Sequence, residues 1–235
     1  MSDQQVTDTA IAIAKKIKKK IARKIVDHLP QEAAAVSVFI AGSPGAGKTE
    51  TARQMIKMFR DSSGVELVHI ENDELRKEFE EYTGLNSPLF QTPATLLVEA
   101  IHDRALQRGV SFVLDSTLSS FDKAKSNIER SLKRDRSVFV IFVYQEPAQA
   151  WRLVQAREAV EGRRVPKEVF VEQFIESQRV VSDLKKVLKN QIDITFIEKN
   201  IDGQNNMPCF DVTDIDALLG KKYNRETLEM IVGLR

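Results

Sequence analysis

The segment from Val36 to Thr49 constrains this chain more than any other part of the sequence. An apolar run over 36–41 is typical of a buried strand, and Gly-Ser-Pro-Gly-Ala-Gly-Lys-Thr follows at 42–49. This matches the pattern Gly-x-x-x-x-Gly-Lys-[Ser/Thr], in which backbone N–H groups and the start of the next helix face a phosphate group. Residues 50–59 have a helical pattern. A glycine-rich turn without a ligand would not explain this complete spacing, so the sequence predicts a nucleotide-binding loop.

Each part of the loop has a predicted role. Glycine permits backbone angles that other residues resist and leaves space beside a phosphate. Lys48 supplies a mobile positive charge for the β- and γ-phosphates, and Thr49 offers a hydroxyl to Mg²⁺. The predicted nucleotide-binding residues are Gly42, Ser43, Pro44, Gly45, Ala46, Gly47, Lys48, Thr49 and Glu50.

Composition narrows the possible classes of protein. The 235 residues suit one α/β domain with extensions, and a net charge of +1 makes nucleic-acid binding an unfavoured function. A single cysteine, Cys209, excludes an internal disulfide and a cysteine-based zinc site. The histidines at 28, 69 and 102 show no metal-ligand spacing, so we expect them to be structural or exposed. We find no signal-peptide pattern and no apolar run long enough for a membrane span, and we expect a cytoplasmic protein.

Strand-like and helix-like segments alternate along the chain. This order predicts a P-loop NTPase/kinase fold of the α/β class, with a parallel β-sheet and helices on both faces. The predicted strands are 36–41, 66–70, 110–114, 137–144 and 192–197. The predicted helices are 50–59, 95–108, 123–134, 147–160 and 167–188.

Extensions flank this core at both ends. After a loose start over 1–9, a basic helix over about 7–28 carries isoleucines 13, 17, 21 and 25 on one face. Three interpretations of its lysines stay open. They form a solvated face, a surface that binds a partner protein, or a contact with an anionic membrane or nucleic acid. The tail contains a polar loop from residue 199, a short strand near 210 and a helix over 225–232. We divide the chain into 1–30 (N-terminal helix), 31–200 (P-loop kinase domain) and 201–235 (a C-terminal extension packed on that domain).

Acidic residues follow the second and third predicted strands. The carboxyl ends of parallel strands meet at one edge of a sheet, so Asp73 and Asp115 should lie near the phosphate loop. Phosphoryl transfer to an alcohol needs Mg²⁺, an acceptor for the hydroxyl proton and cations on the moving group. We interpret Asp73 as the base, with a helix N-cap as the alternative. Asp115 holds Mg²⁺, directly or through water, or grips the acceptor; the alternative is a plain strand-end acid.

Three arginines lie on a predicted helix and on the turn that follows it, and they are the third group of candidate functional residues. Arg157, Arg163 and Arg164 lie where a mobile lid could close over phosphates, and the planar guanidinium matches phosphate oxygens. The alternative is a solvated basic turn.

Taken together, these segments resemble the zeta-toxin family of phosphate-loop kinases. The resemblance rests on 42–49, Asn-Asp-Glu-Leu-Arg at 72–76, Glu99-Ala100, Asp-Ser-Thr at 115–117, Arg157 and Gly-Arg-Arg-Val-Pro at 162–166, and it spans about 36–185. The family phosphorylates the sugar 3′-hydroxyl of UDP-N-acetylglucosamine and related UDP-amino sugars with ATP or GTP, and an antitoxin usually restrains it.

The resemblance implies specific roles. Lys48 and Thr49 would hold phosphate and Mg²⁺, and Asp73 would be the base. Arg157 and Arg163 would stabilise the transferred phosphoryl group. The residues implied to bind the acceptor are Asp73, Arg76, Glu99, Asp115 and Thr117.

Two other functions stay open from the sequence. The first is a kinase whose acceptor is a nucleoside, an antibiotic hydroxyl or a polynucleotide 5′ end. The second is an NTP-dependent binding switch that has no acceptor of its own. The natural acceptor, the preference for ATP or GTP and the oligomeric state do not follow from the sequence.

Overall fold

Five parallel strands form a single sheet at the centre of the computed structural model, which describes residues 2–199 and 207–234. The strand order is β2-β3-β1-β4-β5, so β1 lies in the middle with β3 and β4 beside it. The strands are β1 (Val36–Ala41), β2 (Val68–Glu71), β3 (Phe112–Asp115), β4 (Ser137–Tyr144) and β5 (Asp193–Glu198).

Helices connect and flank these strands. They are α1 (Asp3–Val26), α2 (Lys48–Ser63), α3 (Asn72–Arg76), α4 (Gln91–Arg108), α5 (Phe121–Leu132), α6 (Pro147–Glu161), α7 (Lys167–Leu188) and α8 (Arg225–Val232), with short 3₁₀ turns at Ser87–Phe90 and Lys189–Gln191. The predicted α/β class and parallel sheet are confirmed. The second strand ends one residue later than predicted, at Glu71.

The two faces of the sheet are covered unequally. Residues along a strand alternate between faces, so Val38 and Ile40 contact α2 while Phe39 and Ala41 point into the larger core. That larger core also receives buried side chains from α1, α4, α5, α6 and α7. The hydrophobic cluster between the sheet and α2 is smaller. The polar residues described below lie at the carboxyl end of the strands.

The N-terminal helix is an integral part of the larger core. It begins at Asp3, earlier than predicted, because Ser2 and Gln5 form a capping box. The helix packs against α4, and its fully buried residues are Ala10, Ala14, Ile21, Ala22 and Val26. The other members of the predicted isoleucine stripe, Ile13, Ile17 and Ile25, are half-buried and pack against the same core. Among the described residues, no helix combines the length and apolar character needed to cross a membrane.

The C-terminal segment packs on the same core. Leu228 and Val232 of α8 are buried, and α8 contacts α6 and α7. In place of the short strand predicted near residue 210, Cys209 forms one isolated antiparallel bridge with Phe196. The polar loop predicted from residue 199 lies largely outside the described residues.

Candidate active site

The phosphate loop connects the middle strand to α2. Gly42 and Gly45 have positive φ angles of 143° and 75°. A Cβ atom would lie 2.3 Å from the carbonyl oxygen of Val143 at position 42, and 2.1 Å from that of Ala150 at position 45. The β4 strand and α6 therefore press against the loop so closely that only glycine fits at these two positions.

Lys48 extends back over this loop. Its Nζ donates a hydrogen bond to the carbonyl oxygen of Ser43 at 2.7 Å. Removal from water lowers the pKa of the Lys48 ammonium, while Asp115 and Asp73 act in the opposite direction. The lysine thus lies within electrostatic reach of both predicted acids and also of Arg163 and Arg157.

Thr49 lies between two buried carboxylates. Its Oγ1 is 2.8 Å from Asp115 Oδ2 and 3.1 Å from Glu71 Oε1. Glu71 and Asp115 are adjacent because β2 and β3 pair in register at these positions. Burial raises the pKa of Glu71, and the charges of Asp115 and Asp73 add to this effect. Hydroxyl and carboxylate oxygens are the ligands that Mg²⁺ prefers, so Thr49 and Asp115 fit the predicted cofactor.

Asp73 is held by three arginines. Its carboxylate lies 3.3 Å from Arg76 Nη1 and 3.9 Å from Arg157 Nη2, and it forms a close ion pair with Arg163. The alternative role as a helix cap is not observed: the N-cap of α3 is Glu71, and Asp73 lies in the first turn. The predicted base and the two predicted phosphate-stabilising arginines therefore meet at one point.

The basic turn after α6 gives its two arginines different environments. Gly162 ends α6 with a φ of 69°, and the following Arg163 is partly buried against Asp73. Arg164 is exposed, and its backbone carbonyl accepts a hydrogen bond from Ser87 Oγ at 3.2 Å. Arg157 additionally donates from Nε to Glu161 Oε2 at 2.8 Å.

The predicted acceptor residues are distributed more widely. Thr117 lies beside the loop, where its carbonyl oxygen accepts from the Gly42 N–H at 3.5 Å. Arg76 is buried and supports Asp73 while donating to Gln91. Glu99 is exposed on α4, and its described ion pair is with Lys123 Nζ at 3.4 Å, not with the Asp73 group. Glu50 is exposed on the first turn of α2.

The structure also adds three residues that the sequence reasoning missed. Glu71 was left out because the second strand was predicted to end one residue before it. His69 Nε2 lies 4.0 Å from Asp115 Oδ2, a proximity created by strand pairing and invisible in sequence spacing. Lys199 is buried after β5, with its Cε 3.1 Å from where a Cβ on Gly47 would lie. A lysine directly after a predicted strand was the only available signal for it.

The sequence model of the zeta toxin family matches residues 18–206, which is most of the chain. The chain belongs to the zeta toxin family. The expected membership, based on the motif order from the phosphate loop to the paired arginines, is thereby confirmed. No sequence among the curated proteins matches it.

Solved structures agree with this zeta toxin fold. A structure from the PezAT chromosomal toxin–antitoxin system of Streptococcus pneumoniae is similar with a TM-score of 0.65 and 15% identity, over 100% of this chain and 96% of the other. The AvrRxo1-ORF1:ORF2 complex with ATP is similar with a TM-score of 0.59 and 14% identity, over 91% of this chain and 70% of the other. At these identities the likeness shows the fold alone, and the family match shows a phosphate-loop kinase.

Proposed function

We propose that this zeta toxin family member transfers the γ-phosphate of ATP or GTP to a hydroxyl of a UDP-amino sugar, the 3′-hydroxyl of UDP-N-acetylglucosamine. The observation that carries this proposal is the contact of Arg157 and Arg163 with Asp73, within electrostatic reach of Lys48. A base, the cations for the moving phosphoryl group and the phosphate loop are the parts that phosphoryl transfer to an alcohol requires.

The proposal assigns each part of the reaction to named residues. Asp73 accepts the proton of the attacking hydroxyl, and its ion pairs with three arginines orient its carboxylate. Lys48 holds the β- and γ-phosphates, and the two arginines stabilise charge that develops on the transferred group. When bound, Mg²⁺ would neutralise phosphate charge, held through Thr49 and Asp115. The arginines on Asp73 must shift towards the nucleotide during the reaction, since they serve the phosphoryl group as well as the base.

The choice of a UDP-amino sugar rests on the family resemblance. Thr117 and Asp115 lie at the carboxyl end of β3, beside the loop, where an acceptor would approach the nucleotide. Glu99 would join them from α4, and its ion pair with Lys123 would open to let it bind the acceptor.

The test uses purified protein with Mg²⁺, ATP or GTP, and a panel of acceptors analysed by mass spectrometry. We expect UDP-N-acetylglucosamine to gain the mass of one phosphate, and Asp73→Asn to abolish most of that gain. If only a nucleoside, an antibiotic or an oligonucleotide were phosphorylated, the proposed acceptor would be wrong and the proposed kinase activity would stand. Slow hydrolysis that no acceptor stimulates would favour the NTP-dependent switch.

An antitoxin partner is the second part of the proposal. It is supported by family membership and by similarity to a structure from the PezAT toxin–antitoxin system. We expect induced expression of this chain to arrest growth of a bacterial host, and Lys48→Ala to relieve the arrest at equal protein levels. Equal growth arrest by the Lys48→Ala protein would show that toxicity does not come from phosphoryl transfer.

A further inference from the structure

Three potential metal ligands meet below the N-terminus of α2. His69, Glu71 and Asp115 each contribute one donor atom, and these atoms all lie within 4.8 Å of one another. Glu71 and Asp115 are adjacent through the pairing of β2 and β3, and His69 is two residues before Glu71 on the same face. The residues come from rigid strands, so their spacing is fixed by the sheet.

Two of these residues carry a buried polar atom without a hydrogen bond among the described residues. Glu71 is 6% exposed, and its Oε2 has no hydrogen bond within the described part of the chain, although Oε1 accepts from Thr49. His69 Nε2 is likewise buried and without a hydrogen bond among the described residues. A buried polar atom without a partner destabilises the folded protein. Two such atoms facing a third ligand therefore indicate a missing partner, and a cation would satisfy both.

We propose that His69, Glu71 and Asp115 bind a divalent transition-metal ion, such as Mn²⁺ or Co²⁺, in the protein without nucleotide. Thr49 Oγ1, which contacts both carboxylates, is a fourth donor and the third oxygen of the set. This set shares Thr49 and Asp115 with the magnesium site of the proposed function and differs from it by adding the imidazole of His69 and the carboxylate of Glu71.

The donor set decides the class of ion. Carboxylate and hydroxyl oxygens alone suit Mg²⁺, whereas an added imidazole nitrogen favours a divalent transition-metal ion over Mg²⁺, and Co²⁺ more strongly than Mn²⁺. Ligands at about 2.0–2.2 Å from one ion lie within about 4.4 Å of each other, so small side-chain rotations close the present spacing. The His69 side chain is 23% exposed, which leaves a path from solvent. Lys48 and Arg53 are the cations that oppose binding electrostatically.

The experiment titrates the nucleotide-free full chain with Co²⁺ and follows its visible absorption bands. We expect about one ion per chain, and a loss of affinity of about tenfold or more for His69→Leu and for Glu71→Gln. The matched controls are His28→Leu and Glu78→Gln, whose side chains are exposed; both should bind Co²⁺ as the unaltered protein does. Thermal melts verify that each variant is folded. Undiminished binding by folded His69→Leu would overturn the proposal.

A second measurement needs no change at the site itself. In the His28→Leu background, pulsed electron paramagnetic resonance of bound Mn²⁺ should detect coupling to an imidazole nitrogen. Bound Mn²⁺ with oxygen ligands only, or no bound Mn²⁺, would contradict the proposal even if His69→Leu failed to fold. Neither measurement contains nucleotide or acceptor, so the outcome is independent of the proposed kinase reaction.

Discussion

Arg136 and Glu32, at the amino end of the sheet, differ from His69 and Glu71, at its carboxyl end, in whether their polar atoms have hydrogen-bond partners. At the amino end, Arg136 donates from Nε to Ser37 Oγ at 2.8 Å and from Nη2 to the carbonyl oxygens of Val36 and Val110 at 2.7 and 2.8 Å. Glu32 there accepts hydrogen bonds from the N–H and the hydroxyl of Ser111. At the carboxyl end, His69 Nε2 and Glu71 Oε2 are buried and have no hydrogen bond within the part of the chain that the structure describes.

We interpret the hydrogen-bonded groups at the amino end as structural and the groups without partners at the carboxyl end as functional. Hydrogen-bonded buried groups fix the geometry of the fold, whereas groups left without protein partners lower stability unless a ligand completes them. The amino-end polar groups connect the starts of β1, β3 and β4. The carboxyl-end groups surround the phosphate loop, where nucleotide, metal and acceptor would supply the absent partners. Substitutions at the two ends should therefore have different consequences.

The largest effect should come from the turn after α6. We expect Arg163→Ala to lower turnover by about 10³–10⁵-fold, the usual effect of losing an arginine that stabilises a transferred phosphoryl group. ATP affinity should change little, because the interaction strengthens mainly in the transition state. Arg164→Ala is the matched control, since its side chain is exposed and should matter little. Steady-state kinetics on the identified acceptor measure both variants. If Arg164→Ala had the larger effect, Arg164 and not Arg163 would be the residue that stabilises the phosphoryl group.

Asp73→Asn should produce the next largest loss. Removing a positioned base lowers turnover by about 10²–10⁴-fold, while ATP binding should persist because the base acts on the acceptor. Isothermal titration with ATP measures nucleotide binding, and turnover measurements on the same samples measure catalysis. Weakened ATP binding with normal turnover of the bound nucleotide would make Asp73 a structural residue.

At the opposite end, Arg136→Ala should affect stability instead of chemistry. The substitution removes a buried donor from three oxygens, and we expect the free energy of unfolding to fall by about 2–4 kcal/mol. Turnover per folded molecule should be unchanged. The control Arg134→Ala changes an exposed arginine two residues earlier and should leave stability within about 0.5 kcal/mol. Chemical denaturation measures both; a turnover loss without a stability loss would contradict the division between the two ends.

A smaller effect concerns His102, which lies in the core between these ends. Burial lowers the pKa of His102 to about 3, and nearby arginines add to this effect. The unfolded chain binds a proton at about pH 6.5 that the folded chain does not. Stability should therefore rise with pH from about 3 to 6.5, by up to about 1.4 kcal/mol per pH unit from this group.

The measurement for His102 is the free energy of unfolding from pH 4 to 7. His102→Leu should reduce the slope in this range, and His28→Leu, at an exposed histidine, should not. An equal slope in all three proteins would mean that His102 is not the group that couples folding to protonation.

Much of the fold was predictable because local signals mark it clearly. Glycine, proline and capping residues separate the strands and helices, so the segments at Ser137–Tyr144 and Lys167–Leu188 match their predicted bounds. At the N-terminus the isoleucine stripe was predictable from its spacing, whereas the burial of Ala10 and Ala14 was not, since it depends on how α1 packs against α4.

The site was predictable only where chemistry follows directly from sequence order. Asp73 and Asp115 were predicted because each follows a strand. The partnership of Glu71, His69 and Asp115 depends on β2 pairing with β3, which no local pattern specifies. Similarly, the contact of Arg163 with Asp73 depends on the path of the chain after α6.

The most direct test of the functional role of the carboxyl end is a rapid-quench experiment with γ-labelled ATP and UDP-N-acetylglucosamine. It counts label in the sugar nucleotide and in inorganic phosphate during a single turnover. We predict that the unaltered enzyme places the label on the sugar nucleotide and that Asp73→Asn slows this step by about 10²–10⁴-fold. Label found only in inorganic phosphate, at the same rate in both proteins, would contradict a phosphoryl-transfer site built around Asp73.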